Sequence, residues 1–453
     1  MTPSRRDALR VALRELFCSR ALVWVAGVGT VLLFGFGPSR GAYHPPGLTD
    51  GFGRVGNLLA APAARWDGAW YLTVAHYGYL PQLGPFTASR AAFFPLYPLF
   101  VGFVSAIVRT PALAGVIVAL LALLAGLYGL HRLVALELSA PDSRLPLTWR
   151  GRASPSGGAG WAGNDLAALA LRLMAFSPMA FFLSADYSES LYLALSIGVF
   201  LYARRGRWLF VGVLGGLAAA TRSTGVVLLL PALVLYLYGP RQRGVELASP
   251  LRAGAGLLQR LRPRYALRAD VLWLALIPAG LLAFMAWFSL AGGEALAPFH
   301  AQSLWNRHFA GPYVAAFDGL KAAFEGARQL ISGQSAHLYF PLEGRSPFVE
   351  ASHNLMLFAF LALAILATIG VLRRLPLAYG LYVIAALALP LSYPVATQPL
   401  MSLPRFLLVL FPFYIWLAAY LGGRPRARIV TLAISALLLV FFTAQFSTWH
   451  WVA

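Results

Sequence analysis

Cysteine is almost missing from this chain: Cys18 is the only one, so no intramolecular disulfide, thiolate cluster or zinc finger can be built from it. Lysine is equally scarce, Lys321 standing alone among arginines. Charged residues make up only 11% of 453 residues, against roughly 25% in soluble domains, and a soluble globule is excluded. There is no strict apolar/polar alternation in segments of about 10 residues, which excludes a membrane β-barrel. There is also no fixed-period repeat, so an inverted-repeat transporter receives no support.

What is present is apolar. Hydrophobic residues reach 59% and fall into blocks separated by Arg, Gly and Pro, near the ~20 residues that a helix needs to cross a bilayer. The blocks 21–37, 111–130, 166–184, 189–203, 207–221, 224–239, 271–291, 353–372, 376–394, 404–421 and 429–447 predict about 11 spanning helices in one all-α polytopic unit covering 1–453. The first block follows a basic start (Arg5, Arg6, Arg10, Arg14, Arg20) but has no small-x-small cleavage site after it, and reads as a retained span.

The net charge of +20 reports orientation rather than nucleic acid. Arg204-Arg205-Gly206-Arg207, 241–268, Arg373-Arg374 and 424–428 are Arg-rich while alternate connections are not, which places those sides and the N-terminus in the cytoplasm. The block 93–108 would break this parity as a full span, so Pro95 and Pro98 favour a re-entrant or interfacial helix. Cytoplasmic segments then hold 25 Lys+Arg and 7 Asp+Glu, and the outer face 11 and 9. Cytoplasmic loops are expected at 131–165 and 240–270, with 138–164 flexible. Function is expected in the outer connections 38–110 and 292–352.

The first outer connection holds Arg65-Trp66-Asp67-Gly68-Ala69-Trp70-Tyr71, continuing to His76-Tyr77-Gly78-Tyr79. As a helix it would place Asp67, Trp70, Tyr71 and Val74 on one face, lying at the headgroup level as an aromatic amphipathic element. Asp67 reads either as a helix cap or partner of Arg65, or as a general base at the membrane surface; the local pattern leaves both open. The next outer turn, Ser184-Ala185-Asp186-Tyr187-Ser188-Glu189-Ser190, supplies two carboxylates, with Ser188 and Glu189 suited to a helix start. Arg222, in Thr221-Arg222-Ser223-Thr224-Gly225, and Arg405 stand at outer span ends. Each alone reads as a snorkelling cation, and together with Asp67 they would form a pocket for a phosphate leaving group. The second connection carries Pro298-Phe299-His300-Ala301-Gln302-Ser303-Leu304-Trp305-Asn306-Arg307-His308, a weak metal pattern that suits a sugar-binding surface or an interfacial helix.

Arg65-Trp66-Asp67 with Tyr71, His76-Tyr77-Gly78-Tyr79 and Ala92-Phe93-Phe94-Pro95-Leu96-Tyr97-Pro98, then Phe176-Ser177-Pro178, 184–190 and 220–225, resembles the family of the second mannosyltransferase of glycosylphosphatidylinositol assembly and its bacterial relatives. The likeness is carried by residues 60–230 and reaches Pro404-Arg405-Phe406 more weakly. It implies a GT-C architecture, a multispanning helical glycosyltransferase, and a polyprenyl-phosphate-hexose donor, usually mannose, used on the extracytoplasmic side of the cell membrane. Carried over by position, the catalytic acid is Asp67, the donor phosphate faces Arg222 and Arg405, and substrate contacts fall to Arg65, Trp66, Tyr71, His76, Asp186, Tyr187 and Glu189, to which the second connection adds Gln302, Trp305 and Arg307. The eukaryotic members build a lipid anchor that most bacteria lack, whereas the Arg-heavy composition suits a GC-rich bacterial genome, so the acceptor is not carried over. With no Asp-x-Asp motif on the outer face, no metal and no other cofactor are expected. Two other readings stay in view: a transporter or flippase for a lipid-linked sugar, which needs ionisable residues midway along its spans, and an oligosaccharide polymerase or ligase using lipid diphosphate donors.

Overall fold

The structure is a computed structural model describing residues 4–39, 41–80, 87–139, 164–241, 263–333 and 347–452. Most of the expected loop 138–164, residues 242–262 of the loop 240–270, and residues 81–86 and 334–346 of the outer connections lie outside the described residues. Among the described residues the regular structure is helical, broken only by isolated bridges that pair Val395 with Arg307 and with Gln398.

Among the described residues, five helical stretches are long and apolar enough to cross a membrane: Arg5–Phe34, Pro111–Glu137, Ala269–Leu290, Phe348–Arg374 and Pro425–Ser447. We name α1 (Arg5–Phe34), α2 (Gly53–Ala60), α3 (Asp67–Tyr77), α4 (Leu96–Val108), α5 (Pro111–Ser139), α6 (Asn164–Ala175), α7 (Glu189–Arg204), α8 (Trp208–Thr221), α9 (Leu229–Tyr238), α10 (Leu276–Leu290), α11 (Pro312–Ser332), α12 (Pro347–Arg374), α13 (Leu377–Leu391), α14 (Leu403–Leu408), α15 (Pro412–Leu421) and α16 (Pro425–Ser447). α5, α7 and α8 pack in sequence, α10 packs on α8, and α16 returns to α1.

Two expected spans are interrupted. The block 166–184 is α6 followed by a turn and a 3-10 segment, Ala180–Ser184, because Pro178 cannot continue the helix. Carbonyls freed there are taken up by a buried arginine from α1: Arg20 donates to Ala175 O (2.9 Å), Ala180 O (2.7 Å) and Ser184 Oγ (2.9 Å). The block 404–421 divides at Pro412 into α14 and α15. The block 93–108 forms α4, whose 13 residues span about 20 Å against a core of about 30 Å.

α8 and α10 meet backbone to backbone. A Cβ on Gly280 would fall 1.9 Å from Gly216 O, so only glycine permits this crossing, the small-residue packing usual between helices in lipid. It fixes the end of α8, from which Arg222 departs. At the far end of α5, the buried Glu137 accepts from Arg204 Nε (2.5 Å) and the Tyr379 hydroxyl (2.6 Å), tying α5, α7 and α13 together.

Candidate functional site

The expected helix is present as α3, and it is buried on more than the one face that an amphipathic element would present. Gly68, Ala69, Tyr71, Leu72, Thr73 and Val74 are buried, and α3 lies against α4 and α5. Its aromatic residues serve the interior: Trp70 sits 4.4 Å from Tyr43 and 5.9 Å from both Phe93 and Trp305, ring centre to ring centre.

The motifs 65–71 and 184–190 form one structural unit. Tyr187 donates its hydroxyl to Arg65 O (3.0 Å) and accepts from Asp67 N (3.1 Å), while Asp186 N donates to Ala63 O (3.0 Å). The turn 184–190 therefore clamps the entry to α3 and sets where Asp67 starts the helix. Between these bonds Trp66 is held at φ 55°, a left-handed conformation that costs a non-glycine residue about 1–3 kcal/mol. Its ring is pinned edge-on by Trp449 (5.9 Å) and Trp451 (5.0 Å).

Asp67 opens onto a cavity of about 220 Å³. Tyr71, Phe93 and Phe94 line one side, and Gln302, Trp305 and Arg307 another. Arg222, Arg405 and Phe406 form the cationic wall, the end of α13 adds Leu389 and Pro390, and Trp451, whose ring lies 5.0 Å from that of Trp66, completes the lining. Asp67 Oδ2 accepts from Arg405 Nη1 at 2.5 Å, and no residue of the described structure donates to Oδ1. Arg405 also brings Nε to 3.3 Å from Glu189 Oε1, an ion-pair distance without hydrogen-bond alignment. Glu189 Oε1 in turn accepts from Arg222 Nη1 at 2.6 Å. The chain Asp67, Arg405, Glu189, Arg222 is thus a four-membered alternation of charge, reaching the cavity at both ends. Burial pushes the Tyr71 phenol up to about 12, so it stays protonated and shares a hydrogen with Ser188 Oγ (2.8 Å).

Of the residues expected at the site, Asp67, Tyr71, Arg222, Gln302, Trp305, Arg307 and Arg405 line this one cavity; Arg65, Trp66, His76, Asp186, Tyr187 and Glu189 do not. Arg65 is buried, its guanidinium 4.3 Å from the Trp449 ring centre, and burial pulls its pKa down to about 10 against the opposing field of Asp50. His76 is exposed beside Tyr77. Glu189 acts behind the wall through the two arginines. Trp451, Tyr393 and Phe406 were not among the expected site residues; the pair Trp449 and Trp451 directly after the last apolar block was the one available signal for the first of these.

Asp186 is fully buried, and neither carboxyl oxygen has a hydrogen-bond partner among the described residues. Its Oδ1 occupies the space beside Gly115, where a Cβ would come within 2.4 Å. Burial raises its pKa well above the ordinary carboxylate range. A raised pKa of this kind means stability that is full below the unfolded value of about 3.9 and is lost as pH rises toward the folded value. Asp186→Asn keeps the shape of the neutral acid. The melting temperature of this variant at pH 7 is expected to hold or rise; a clear fall would show that the carboxyl is not held neutral in this place.

No protein-family model matches the chain, and no curated protein matches it. Among solved structures it is similar to the Archaeoglobus fulgidus oligosaccharyltransferase tethered with an acceptor peptide containing the NVT sequon, with 11% identity and a TM-score of 0.37. The match covers 96% of this chain and 55% of that one. A TM-score of 0.37 does not establish a common fold.

Proposed function

We propose that this chain is a GT-C-type integral membrane glycosyltransferase. It takes a hexose, mannose in the first instance, from a polyprenyl-phosphate carrier on the extracytoplasmic side of the cell membrane and passes it with inversion to an acceptor hydroxyl. The observation that carries this reading is the placing of one carboxylate, Asp67, and three guanidiniums, Arg222, Arg307 and Arg405, around a single aromatic-lined cavity. That set matches what a displacement at an anomeric carbon needs: a proton acceptor on one side and counter-charge for a phosphate leaving group on the other.

In the proposed step the acceptor oxygen bonds to the anomeric carbon as its proton passes to Asp67 Oδ1. The bond from that carbon to the phosphate oxygen breaks, and its electron pair leaves with the lipid phosphate. Asp67 goes from one negative charge to none while the phosphate gains one, so the net charge of the cavity is unchanged and negative charge has crossed it. Arg405, paired with Asp67 beforehand, is released toward the phosphate as the carboxylate is neutralised. The counter-charge is supplied by arginine, and the transfer is proposed to be metal-independent.

Two measurements test the reading. Purified chain in nanodiscs, given labelled polyprenyl-phosphate mannose and acceptor extract, is expected to transfer equally with and without chelator; dependence on an added divalent ion would overturn the metal claim. In cells, the glycan or glycoprotein that loses a hexose on gene deletion is expected to regain it with wild type and not with Asp67→Asn. No change in any glycan on deletion would remove the proposal.

A further inference from the structure

Building on the glycosyltransferase reading above, we propose that Arg307 anchors the donor phosphodiester, while Arg222 and Arg405 serve first as partners of the site's own carboxylates. The guanidinium carbons of Arg222, Arg405 and Arg307 lie 5.3, 5.3 and 6.0 Å from the centre of one ring, Phe406. Three cations thus converge where two carboxylates are present. Arg222 is held by Glu189 and Arg405 by Asp67 and Glu189. Arg307 has no carboxylate within ion-pair distance among the described residues; it donates to two backbone carbonyls, Tyr393 O (3.3 Å) and Met401 O (3.2 Å).

The backbone holds this cation in place independently of charge pairing. Arg307 N donates to Gln302 O (3.2 Å), and the residue bridges Val395 in the segment that joins α13 to α14. Burial, reinforced by the like charge of Arg405 and opposed by the more distant field of Asp67, pulls its pKa down to about 10, which still leaves it cationic at neutral pH. A partly buried cation beside another cation is costly unless an anion arrives to meet it. A guanidinium with two of five N–H groups committed to carbonyls keeps others to donate to phosphate oxygens. One uncompensated positive charge equals the single negative charge of a phosphodiester. The ligand chemistry is therefore a lipid phosphate, as the lipid-and-sugar diester of the donor or as the lipid monoester left after transfer, with the charge read chiefly by Arg307.

The test is equilibrium binding to the purified full chain in nanodiscs, followed by quenching of tryptophan fluorescence, with undecaprenyl phosphate, undecaprenol and inorganic phosphate as probes. Wild type is expected to bind undecaprenyl phosphate at least about tenfold more tightly than undecaprenol, and inorganic phosphate only weakly. Arg307→Met is expected to lose about 10- to 100-fold for the lipid phosphate with undecaprenol unaffected, and Arg307→Lys to recover part of the loss. Unchanged lipid phosphate affinity in Arg307→Met would overturn the assignment, as would inorganic phosphate binding as tightly as the lipid. Should Arg307→Met fail to fold, Asp67→Asn leaves Arg307 in place and adds one net positive charge; tighter lipid phosphate binding supports the charge count, and unchanged or weaker binding overturns it. Binding requires no transfer. Arg307-dependent binding without any hexose transfer would therefore sink the glycosyltransferase reading alone, and transfer with an unchanged donor KM in Arg307→Met would sink the anchor alone.

Discussion

Asp67→Asn is expected to lower hexose transfer by about 10²- to 10⁴-fold, the usual contribution of a positioned general base, with the fold intact. The amide keeps the volume of the carboxylate and its oxygen still accepts from Arg405 Nη1, now 2.5 Å from Asp67 Oδ2. The backbone N–H bond to Tyr187 does not involve the side chain at all. What disappears is the oxygen free to take a proton from an incoming hydroxyl. The discriminating measurement is the split between kcat and donor KM: kcat collapses while donor KM falls. A rise in KM with kcat preserved would assign Asp67 to binding rather than to proton transfer.

Arg405→Met is expected to remove both activity and stability. Arg405 bridges Asp67 and Glu189, and Glu189 is 1% exposed, so among the described residues the variant leaves Asp67 with no ion pair and Glu189 with Arg222 alone. Breaking a buried pair from one side typically costs about 3–5 kcal/mol, and losing one electrostatic donor at a reacting centre about 10²- to 10³-fold in kcat. Arg405→Lys restores a charge but cannot place separate N–H groups toward two acids, and should recover stability better than rate. The double variant Arg405→Met with Asp67→Asn separates the two effects: its melting temperature should recover toward wild type while transfer stays lost. If the single variant melts like wild type, the charge chain is not holding the site together.

The reach of sequence reasoning can be judged residue by residue. Helices such as α7 and α8 match the apolar blocks 189–203 and 207–221 within a residue, because uninterrupted apolar runs leave a helix as the one way to satisfy the backbone. The breaks inside 166–184 and 404–421 were hidden, since hydropathy is blind to a proline turn whose carbonyls are met by a distant arginine such as Arg20. Asp67 stood out as an acid among aromatics in the first outer connection, and Arg222 and Arg405 as cations at expected outer span ends, yet their pairing did not: Asp67 and Arg405 are 338 residues apart. Nothing local distinguishes an arginine neutralised by a carboxylate from one held by carbonyls. Glu189 was visible as a helix-start acid, a role compatible with its position at the head of α7, while its bond to Arg222 was not legible.

The tryptophans around the acid also join distant parts of the chain. Trp451 lines the cavity with Asp67, and Trp449 and Trp451 lie edge-on to the strained Trp66 that precedes it. The residue before the acid is thus held by rings hundreds of residues further along the chain, and a truncation directly after α16 would leave every charged group of the cavity in the polypeptide while taking away these two ring partners of Trp66.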